Sequence, residues 1–276
     1  MSRSILTEYQ VNIDHPIPEP LTIAHVSDLH ERISDDILRR LRRVKPDFIV
    51  VTGDTFERYD NRPQYEFEHR PIKRLIINII HYSNYLLTKL QSEKKKAKPE
   101  NSYNFLSKAV KIAPVYLSLG NHEQMLREED YRFLMENSIT LLDNASTKIT
   151  CKGCDILLGG VSTWDYETFI EDFKQQKGFK LLLCHNPQFY VDYLSDSDID
   201  LTLSGHTHGG QIRVGKKGRG FFVPGQGIFG KYAHGSFFGN KLIVSAGCAN
   251  TVVCPRFGNP RELVAIRLKG NEHGNI

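Results

Sequence analysis

The sequence predicts an α/β fold in which a mostly buried sheet carries helices on its outside. Short runs of apolar and β-branched residues recur along the 276-residue chain, as buried strands require. Residues 35–47 lie between the first two runs and have helical spacing, and strand–helix–strand on this scale is typical of a βαβ unit. Two later segments are typical of hairpins, so we also expect a second, more antiparallel sheet.

The individual elements follow from these patterns. The predicted strands cover residues 21–26, 48–52, 115–119, 180–184 and 200–204. The residues that give the helix its period, followed by the proline that ends it, are Ile37, Leu38, Leu41, Val44 and Pro46. The predicted hairpins cover residues 148–161 and 237–247, and in the first of them Cys151 and Cys154 flank the turn. We expect no zinc site there, because a second cysteine pair with suitable spacing is missing.

The composition is that of an ordinary globular protein. Apolar residues make up 40% of the chain and charged residues 25%, which is enough for a sizeable core. A net charge of +4 permits an anionic ligand, but the basic residues form no long block, so we do not expect nucleic acid as a partner. Five cysteines fit reduced thiols better than a disulfide framework, and residues 1–20 contain no apolar leader. We therefore expect a cytoplasmic protein.

Residues 60–113 are predicted to be a helical insertion within a single domain that covers residues 1–276. From Ile72 to Leu90 the apolar residues keep a helical period, and basic residues lie near both ends. Such a helix either packs on the sheet or contacts a membrane surface or a partner. The second reading would make the protein peripheral to the membrane.

Each of the five predicted strands ends in side chains that can bind a metal ion. These residues are Asp28, His30, Asp54, Asn121, His122, His185, His206 and His208. Because ligands bind at the carboxyl ends of the strands in open α/β sheets, we expect these side chains to converge at one sheet edge. Mixed imidazole and carboxylate ligands suit manganese, iron, zinc, cobalt or nickel. The set is too large for one tetrahedral ion and suits two divalent ions that share a bridging carboxylate.

The order of these blocks resembles a known family. The chain contains D-x-H at 28–30, G-D at 53–54, G-N-H-E at 120–123, a histidine at 185 and G-H-x-H at 205–208. This series is similar to that of the calcineurin-like metallophosphoesterases, and the flanking sequences are most similar to the bacterial YkuE/YaeI-like branch. The resemblance implies an α/β fold of four layers, an αββα sandwich of two mixed β-sheets.

The resemblance also implies a role for each residue. The residues implied to hold the first ion are Asp28, His30 and His208. Those implied to hold the second are Asn121, His185 and His206. Asp54 would bridge both ions, and His122 would face the substrate as a catalytic residue. Glu123, at a position where aspartate is commoner, would lie outside the metal shell.

The function implied is that of a di-metal-dependent phosphodiesterase, in which a metal-bridging hydroxide attacks phosphorus. The expected substrate is a small phosphodiester or pyrophosphate, and lipid-linked ones are included. Arg213 and His234 are weaker candidates for contacts with the substrate. Two alternatives remain open: a nuclease of the same chemistry, and a scaffold of the same fold without catalysis.

Overall fold

Two six-stranded sheets lie at the centre of the molecule. The computed structural model describes residues 4–58, 97–162, 166–214, 219–249 and 256–270. The first sheet consists, from edge to edge, of β1 (Ile5–Ile13), β16 (Glu262–Gly270), β2 (Leu21–Val26), β3 (Phe48–Thr52), β4 (Val115–Ser118) and β5 (Thr140–Leu142). The second consists of β14 (Gly235–Phe237), β15 (Leu242–Val244), β9 (Leu201–Ser204), β8 (Phe179–Cys184), β7 (Cys154–Val161) and β6 (Ala145–Cys151).

Shorter elements cover the sheets and their ends. Two small antiparallel ribbons pair β10 (Arg213–Val214) with β11 (Arg219–Gly220), and β12 (Phe222–Val223) with β13 (Gly227–Ile228). The helices are α1 (Asp35–Val44), α2 (Pro99–Ala109), α3 (Glu128–Glu136), α4 (Glu167–Gln175) and α5 (Pro187–Phe189), which continues as a wider helical turn through Tyr190–Leu194.

The core has three apolar parts. Between the sheets, side chains such as Phe48 meet others such as Leu181, and both are buried. Beneath α1, α2 and α3 lies a second cluster that includes Phe105, and beneath α4 and the turn at 190–194 lies a third that includes Phe173 and Tyr190. Each fully buried large apolar side chain stabilises the fold by about 1.5–3 kcal/mol. The layers therefore run helix, sheet, sheet, helix, and the predicted αββα sandwich is confirmed.

The strand pairing corrects the expectation of a more antiparallel second sheet. In that sheet β15, β9, β8 and β7 are all parallel neighbours, and antiparallel pairs occur only at the edges, with β14 and β6. The hairpin signals in the sequence came from those two edges. The prediction of a single ligand-bearing sheet edge was also wrong, because the five predicted strands divide between the sheets. Strands β2, β3 and β4 lie in the first sheet, and β8 and β9 lie in the second.

Local signals fix the ends of the predicted elements. Helix α1 begins with two acidic residues in its first turn, where the helix dipole favours negative charge, and it ends at Lys45 with φ of 50°, just before Pro46. The turn at Lys152 and Gly153 has φ angles of 49° and 73°, as a two-residue hairpin turn requires. The predicted hairpin at Cys151–Cys154 is thus confirmed. Within the described ranges, no residue group that could hold a metal ion contains a cysteine.

The predicted insertion is described only at its end. Residues 59–96, and with them the predicted helix from Ile72 to Leu90, lie outside the described residues. The remainder forms α2, which packs on α1 through buried residues such as Phe105 and Leu106. In the described part of the chain, no helix is both long and apolar enough to cross a membrane.

Candidate metal centre

The first sheet supplies two adjacent ligand-bearing loops. Asp28 and His30 follow β2, and Asp54 follows β3, its parallel neighbour. Two backbone hydrogen bonds join the loops: the Asp28 N–H donates to the Gly53 carbonyl at 3.1 Å, and the His30 N–H donates to the Asp54 carbonyl at 2.8 Å. The three side chains are therefore fixed at one end of the sheet, each at 0–1% exposure.

The second sheet brings its own two loops to the same place. His185 follows β8, His206 and His208 follow β9, and these strands are parallel neighbours. The His206 N–H donates to Asp28 Oδ1 at 3.1 Å, so a hydrogen bond crosses from one sheet to the other. Glycine is required at 205 because a Cβ there would lie 1.8 Å from Ser27 Oγ. The absence of that atom lets the two sheet ends touch.

Five of the candidate ligands have left-handed backbone conformations that residues other than glycine seldom adopt. The φ angles of Asp28, His30, Asp54, His206 and His208 are 56°, 47°, 52°, 70° and 48°. Each such residue costs on the order of 1–3 kcal/mol, and strain of this kind is concentrated at functional sites. The surrounding packing and hydrogen bonds have to compensate for it.

The ligand atoms form two groups that share Asp54. In the first group, atoms of Asp28, His30, Asp54 and His208 lie within 4.8 Å of one another, and in the second the same holds for Asp54, His185 and His206. Asp54 Oδ2 is 3.5 Å from His30 Nε2 and 3.1 Å from His185 Nε2. Asp28 Oδ1 is 3.6 Å from His208 Nε2. The structure thus brings these aspartates and histidines together in two groups around Asp54.

Several of these atoms lack an ordinary partner. Asp28 Oδ2, His30 Nε2 and His185 Nε2 are buried and find no hydrogen-bond partner among the described residues. His185 Nδ1 lies 2.6 Å from the Thr52 carbonyl, which can only accept, so this nitrogen carries a proton. In a neutral ring Nε2 then faces Asp54 as a second acceptor. A positive charge between the two atoms resolves this conflict, and the donor set fits divalent transition-metal ions.

The pKa shifts indicate the same demand for positive charge. Burial by itself lowers the pKa of His30, but the nearby carboxylates of Asp28 and Glu57 raise it to about 10. Burial also opposes protonation of His185, whereas Asp54 raises the pKa of that ring to about 9. Because metal ligands have to give up such protons, cation binding and deprotonation of these two rings are coupled.

Glu57 is a functional residue that the sequence reasoning missed. One carboxylate oxygen lies 2.9 Å from His30 Nδ1 and the other 2.9 Å from His122 Nδ1. Burial raises the pKa of Glu57, but the hydrogen bonds from His122 and His30 outweigh it and hold the pKa below its usual value. The ionised carboxylate therefore keeps a proton on each Nδ1 and turns each Nε2 toward Asp54. The available signal was an acidic residue three positions after Asp54.

The comparisons with known proteins agree with this geometry. Residues 21–210, more than half of the chain, match the family model described as calcineurin-like phosphoesterase. The chain belongs to the calcineurin-like phosphoesterase family. It is 28% identical over 260 residues to the uncharacterized protein YpbG of Bacillus subtilis, covering 92% of this chain and 83% of YpbG.

Two further relatives confirm the predicted bacterial branch. The uncharacterized metallophosphoesterase YkuE of Bacillus subtilis is 26% identical, and the match covers 89% of this chain and 76% of YkuE. The phosphodiesterase YaeI of Escherichia coli is 30% identical over 138 residues, which cover 46% of this chain and 51% of YaeI. As a family member, the protein is a metal-dependent phosphoester hydrolase.

Asn121 and His122 of this phosphoesterase lie in the loop after β4, beside Asp54. The His122 N–H donates to Asp54 Oδ1 at 3.0 Å, and His122 Nε2 is 3.7 Å from Asp54 Oδ2. Asn121 is half-buried between Gly120 and His122, both of which are held in place by hydrogen bonds. The loop thus brings a third strand end of the first sheet to the same centre.

Glu123 organises the loops of the phosphoesterase although it is not a member of either ligand group. Its buried carboxylate accepts the N–H groups of Asp54 at 2.8 Å, Phe56 at 2.8 Å and Gly120 at 2.7 Å, and also that of Thr55. Burial raises the pKa of Glu123 to about 7, while the backbone donors oppose this rise. The sequence reasoning placed this residue outside the metal shell and did not foresee its role in joining two loops.

Arg213 and His234 form no hydrogen bond or ion pair with a candidate ligand among the described residues. Arg213 is 8% exposed on β10, and burial lowers its pKa while Glu262 and Tyr9 oppose this. Burial also lowers the pKa of His234, as does the neighbouring Arg213. Arg213, His234 and Glu262 are electrostatic neighbours and form a polar cluster beside the ends of β1 and β16. The structure therefore does not bring Arg213 and His234 together with the predicted ligands.

A buried ion-pair network stands behind the ligand loops, and we call Glu31, Arg58 and Asp130 the Arg58 network. Arg58 donates to both oxygens of Asp130 at 2.7 Å and to Glu31 at 2.6 Å. Its backbone N–H donates to the His122 carbonyl at 2.8 Å. The network thus ties the loops after β2, β3 and β4 to helix α3.

Proposed function

We propose that the protein is a di-metal-dependent phosphodiesterase that hydrolyses a P–O bond of a small phosphodiester or pyrophosphate. The observation that carries the proposal is the pair of ligand groups sharing Asp54, whose buried nitrogen and oxygen atoms include several that find no hydrogen-bond partner among the described residues. Paired metal sites with a shared carboxylate recur in enzymes that catalyse in-line displacement at phosphorus. The similarity to YaeI, which is named a phosphodiesterase, favours a diester over a monoester.

The metal ions proposed are two divalent transition-metal ions, such as manganese, iron, zinc, cobalt or nickel. Asp28, His30 and His208 would hold the first, Asn121, His185 and His206 would hold the second, and Asp54 would belong to both. When bound, such ions polarise phosphoryl oxygens and lower the pKa of a coordinated water, which supplies the nucleophile at neutral pH.

The protein's own residues position the leaving group and the proton it needs. His122 is half-buried beside Asp54, with its Nδ1 proton held by Glu57 at 2.9 Å. Its Nε2 can then carry a second proton, donate it to the leaving oxygen, and return to the neutral form with Glu57 still bound. We propose His122 as the general acid and Glu57 as the residue that orients it. Asp54 fixes the loop through the His122 N–H.

The test compares bis-p-nitrophenyl phosphate with p-nitrophenyl phosphate as substrates of metal-stripped protein to which manganese, zinc, nickel or magnesium is added. The proposal expects diester turnover that a transition metal restores and that His122→Ala reduces about 100-fold or more. His15→Ala is the control, because His15 is a half-buried histidine that pairs with Asp200 rather than with the site. Protein that binds two ions per chain but hydrolyses neither substrate with any metal would contradict the proposal.

The nuclease and scaffold alternatives have distinct signatures. A nuclease would lose affinity steeply as salt rises, because binding along a phosphate backbone releases counterions. A scaffold would keep its partner in Asp54→Asn, whereas an enzyme should lose metal and turnover together. Phosphodiester assays at several salt concentrations, with Asp54→Asn in parallel, separate all three.

A further inference from the structure

Arg256 is a half-buried cation next to the first ligand group, and it has no role in the proposed reaction as described above. Its Nη2 lies 3.5 Å from His208 Nδ1. The same guanidinium donates to the Ala246 carbonyl at 2.6 Å through Nη1 and to the Ala249 carbonyl through Nη2. Arg256 comes after all of the candidate ligands in the chain. It belongs to none of the motifs that identified those ligands.

The hydrogen bonds of Arg256 leave part of its donor capacity unused. A guanidinium has five N–H groups, and the described residues supply the two carbonyls and His208 as acceptors. The Nε atom is buried and finds no partner among the described residues. Among the described residues, no carboxylate forms an ion pair with Arg256. A guanidinium with a buried Nε and no carboxylate in an ion pair is a ready partner for an anion.

The hydrogen bond from Arg256 to His208 would be lost if His208 held a metal ion through Nε2. Arginine only donates, so His208 Nδ1 has to accept, and a neutral ring then carries its proton on Nε2. Yet Nε2 is the atom that lies with Asp28 in the first ligand group. If Nε2 offers its lone pair to a cation, the proton moves to Nδ1, and two N–H groups face each other. The Nη2 N–H then needs another acceptor.

We infer that Arg256 binds a nonbridging phosphate oxygen of the substrate, an inference that rests on the proposed function. The substrate phosphate is the acceptor that arrives at the metal centre, and its negative charge would give the guanidinium an ion-pair partner that the described residues do not supply. Arginine matches phosphate with two parallel N–H donors, which fixes orientation as well as charge.

Three other buried arginines of the described chain have carboxylate neighbours that lie outside the ligand groups. Arg58 is fully engaged by Asp130 and Glu31. Arg213 lies in the cluster with Glu262, and Arg261 donates to Asp36 at 2.6 Å. Among these four, Arg256 alone has a hydrogen bond, of 3.5 Å, to a candidate ligand ring in the described part of the chain. The geometry therefore favours Arg256 over its neighbours.

The experiment measures the affinity of inorganic phosphate for manganese-loaded protein by titration calorimetry, with metal content determined for every variant. Arg256→Met should retain two ions per chain and bind phosphate about 10- to 100-fold more weakly. It should also raise KM for bis-p-nitrophenyl phosphate more than it lowers kcat. Arg261→Met is the matched control, because Arg261 also donates to the 246–249 loop, at Cys248, and binds Asp36, which is outside the ligand groups. Its phosphate affinity should equal that of the unmodified protein.

Arg256 also binds two carbonyls of that loop, so a purely structural role has to be distinguished from phosphate binding. Arg256→Lys keeps the positive charge but loses the pair of parallel N–H donors. We expect this variant to retain metal and to bind phosphate several-fold more weakly than the unmodified protein. Phosphate affinity within twofold of the unmodified protein in either metal-loaded variant would overturn the inference. Loss of metal in both variants would also overturn it, because Arg256 would then serve the loop alone. Phosphate binding is read without turnover, so a silent but phosphate-binding protein would refute the proposed function and leave this inference standing.

Discussion

Replacement of Arg58 by methionine is expected to destabilise the protein strongly. The Arg58 side chain is 1% exposed, and its partners Asp130 and Glu31 are 0% and 4% exposed. Methionine preserves most of the volume but leaves two carboxylates in the interior without their counter-charge. Removal of one partner from a buried ion pair costs about 3–5 kcal/mol. That is a large part of the roughly 5–15 kcal/mol by which domains are stable.

Urea unfolding of metal-stripped protein measures this change. With an m-value of roughly 3 kcal/mol/M, the midpoint should fall by about 1–2 M. Arg132→Met is the control, because Arg132 pairs with Glu128 at 2.7 Å but the two side chains are 60% and 88% exposed. An exposed pair of this kind contributes less than about 0.5 kcal/mol. If Arg58→Met unfolds within about 0.5 kcal/mol of Arg132→Met, the assignment of the Arg58 network as a structural support of the site is wrong.

Three further predictions follow from contacts around the site. Glu57→Gln leaves one acceptor oxygen for two imidazole N–H groups. At unchanged metal content, kcat for bis-p-nitrophenyl phosphate should therefore fall about 10- to 100-fold. An unchanged kcat would exclude the orienting role of Glu57. Gly205→Ala should weaken manganese binding in calorimetry, and the added substitution Ser27→Ala should restore part of it, since Ser27 Oγ is the nearest obstacle. The pKa of Asp130 lies below its usual value, because hydrogen bonds from partners such as Arg58 outweigh burial. The contribution of Asp130 to stability is therefore complete above about pH 4 and is lost as the pH falls below that value. Asp130→Asn should make the free energy of unfolding fall less steeply as the pH is lowered. An equally steep fall in the variant would contradict this.

The sequence predicted the five inner strands and the residues at their ends because both signals are local. A buried parallel strand is a continuous apolar run, and the motif follows it directly in the chain. The division of these strands between two sheets was not predictable in this way, since strand pairing depends on residues far apart. The pairing of β9 with β15, for example, joins Thr202 to Leu242.

Strand β1, the carboxylate of Glu57 and the guanidinium of Arg256 were missed for different reasons. Strand β1 alternates inward residues such as Tyr9 and Val11 with exposed ones such as Gln10, a period-two signal that was present in the sequence. Glu57 belongs to none of the motifs that identified the other site residues, and its role depends on two histidines that are remote in the chain. Arg256 likewise gains its meaning only from its position beside His208.

The candidate centre draws on both sheets, and this has a consequence for dissected forms of the protein. The chain passes from the first sheet to the second through Asp143 and Asn144, between β5 and β6. A cut at that crossing would leave the four candidate ligands before it on one fragment and the three after it on the other. Neither fragment could then complete either ligand group alone. Metal affinity would become a direct report of fragment reassembly, as a reporter enzyme split into halves is used to detect association.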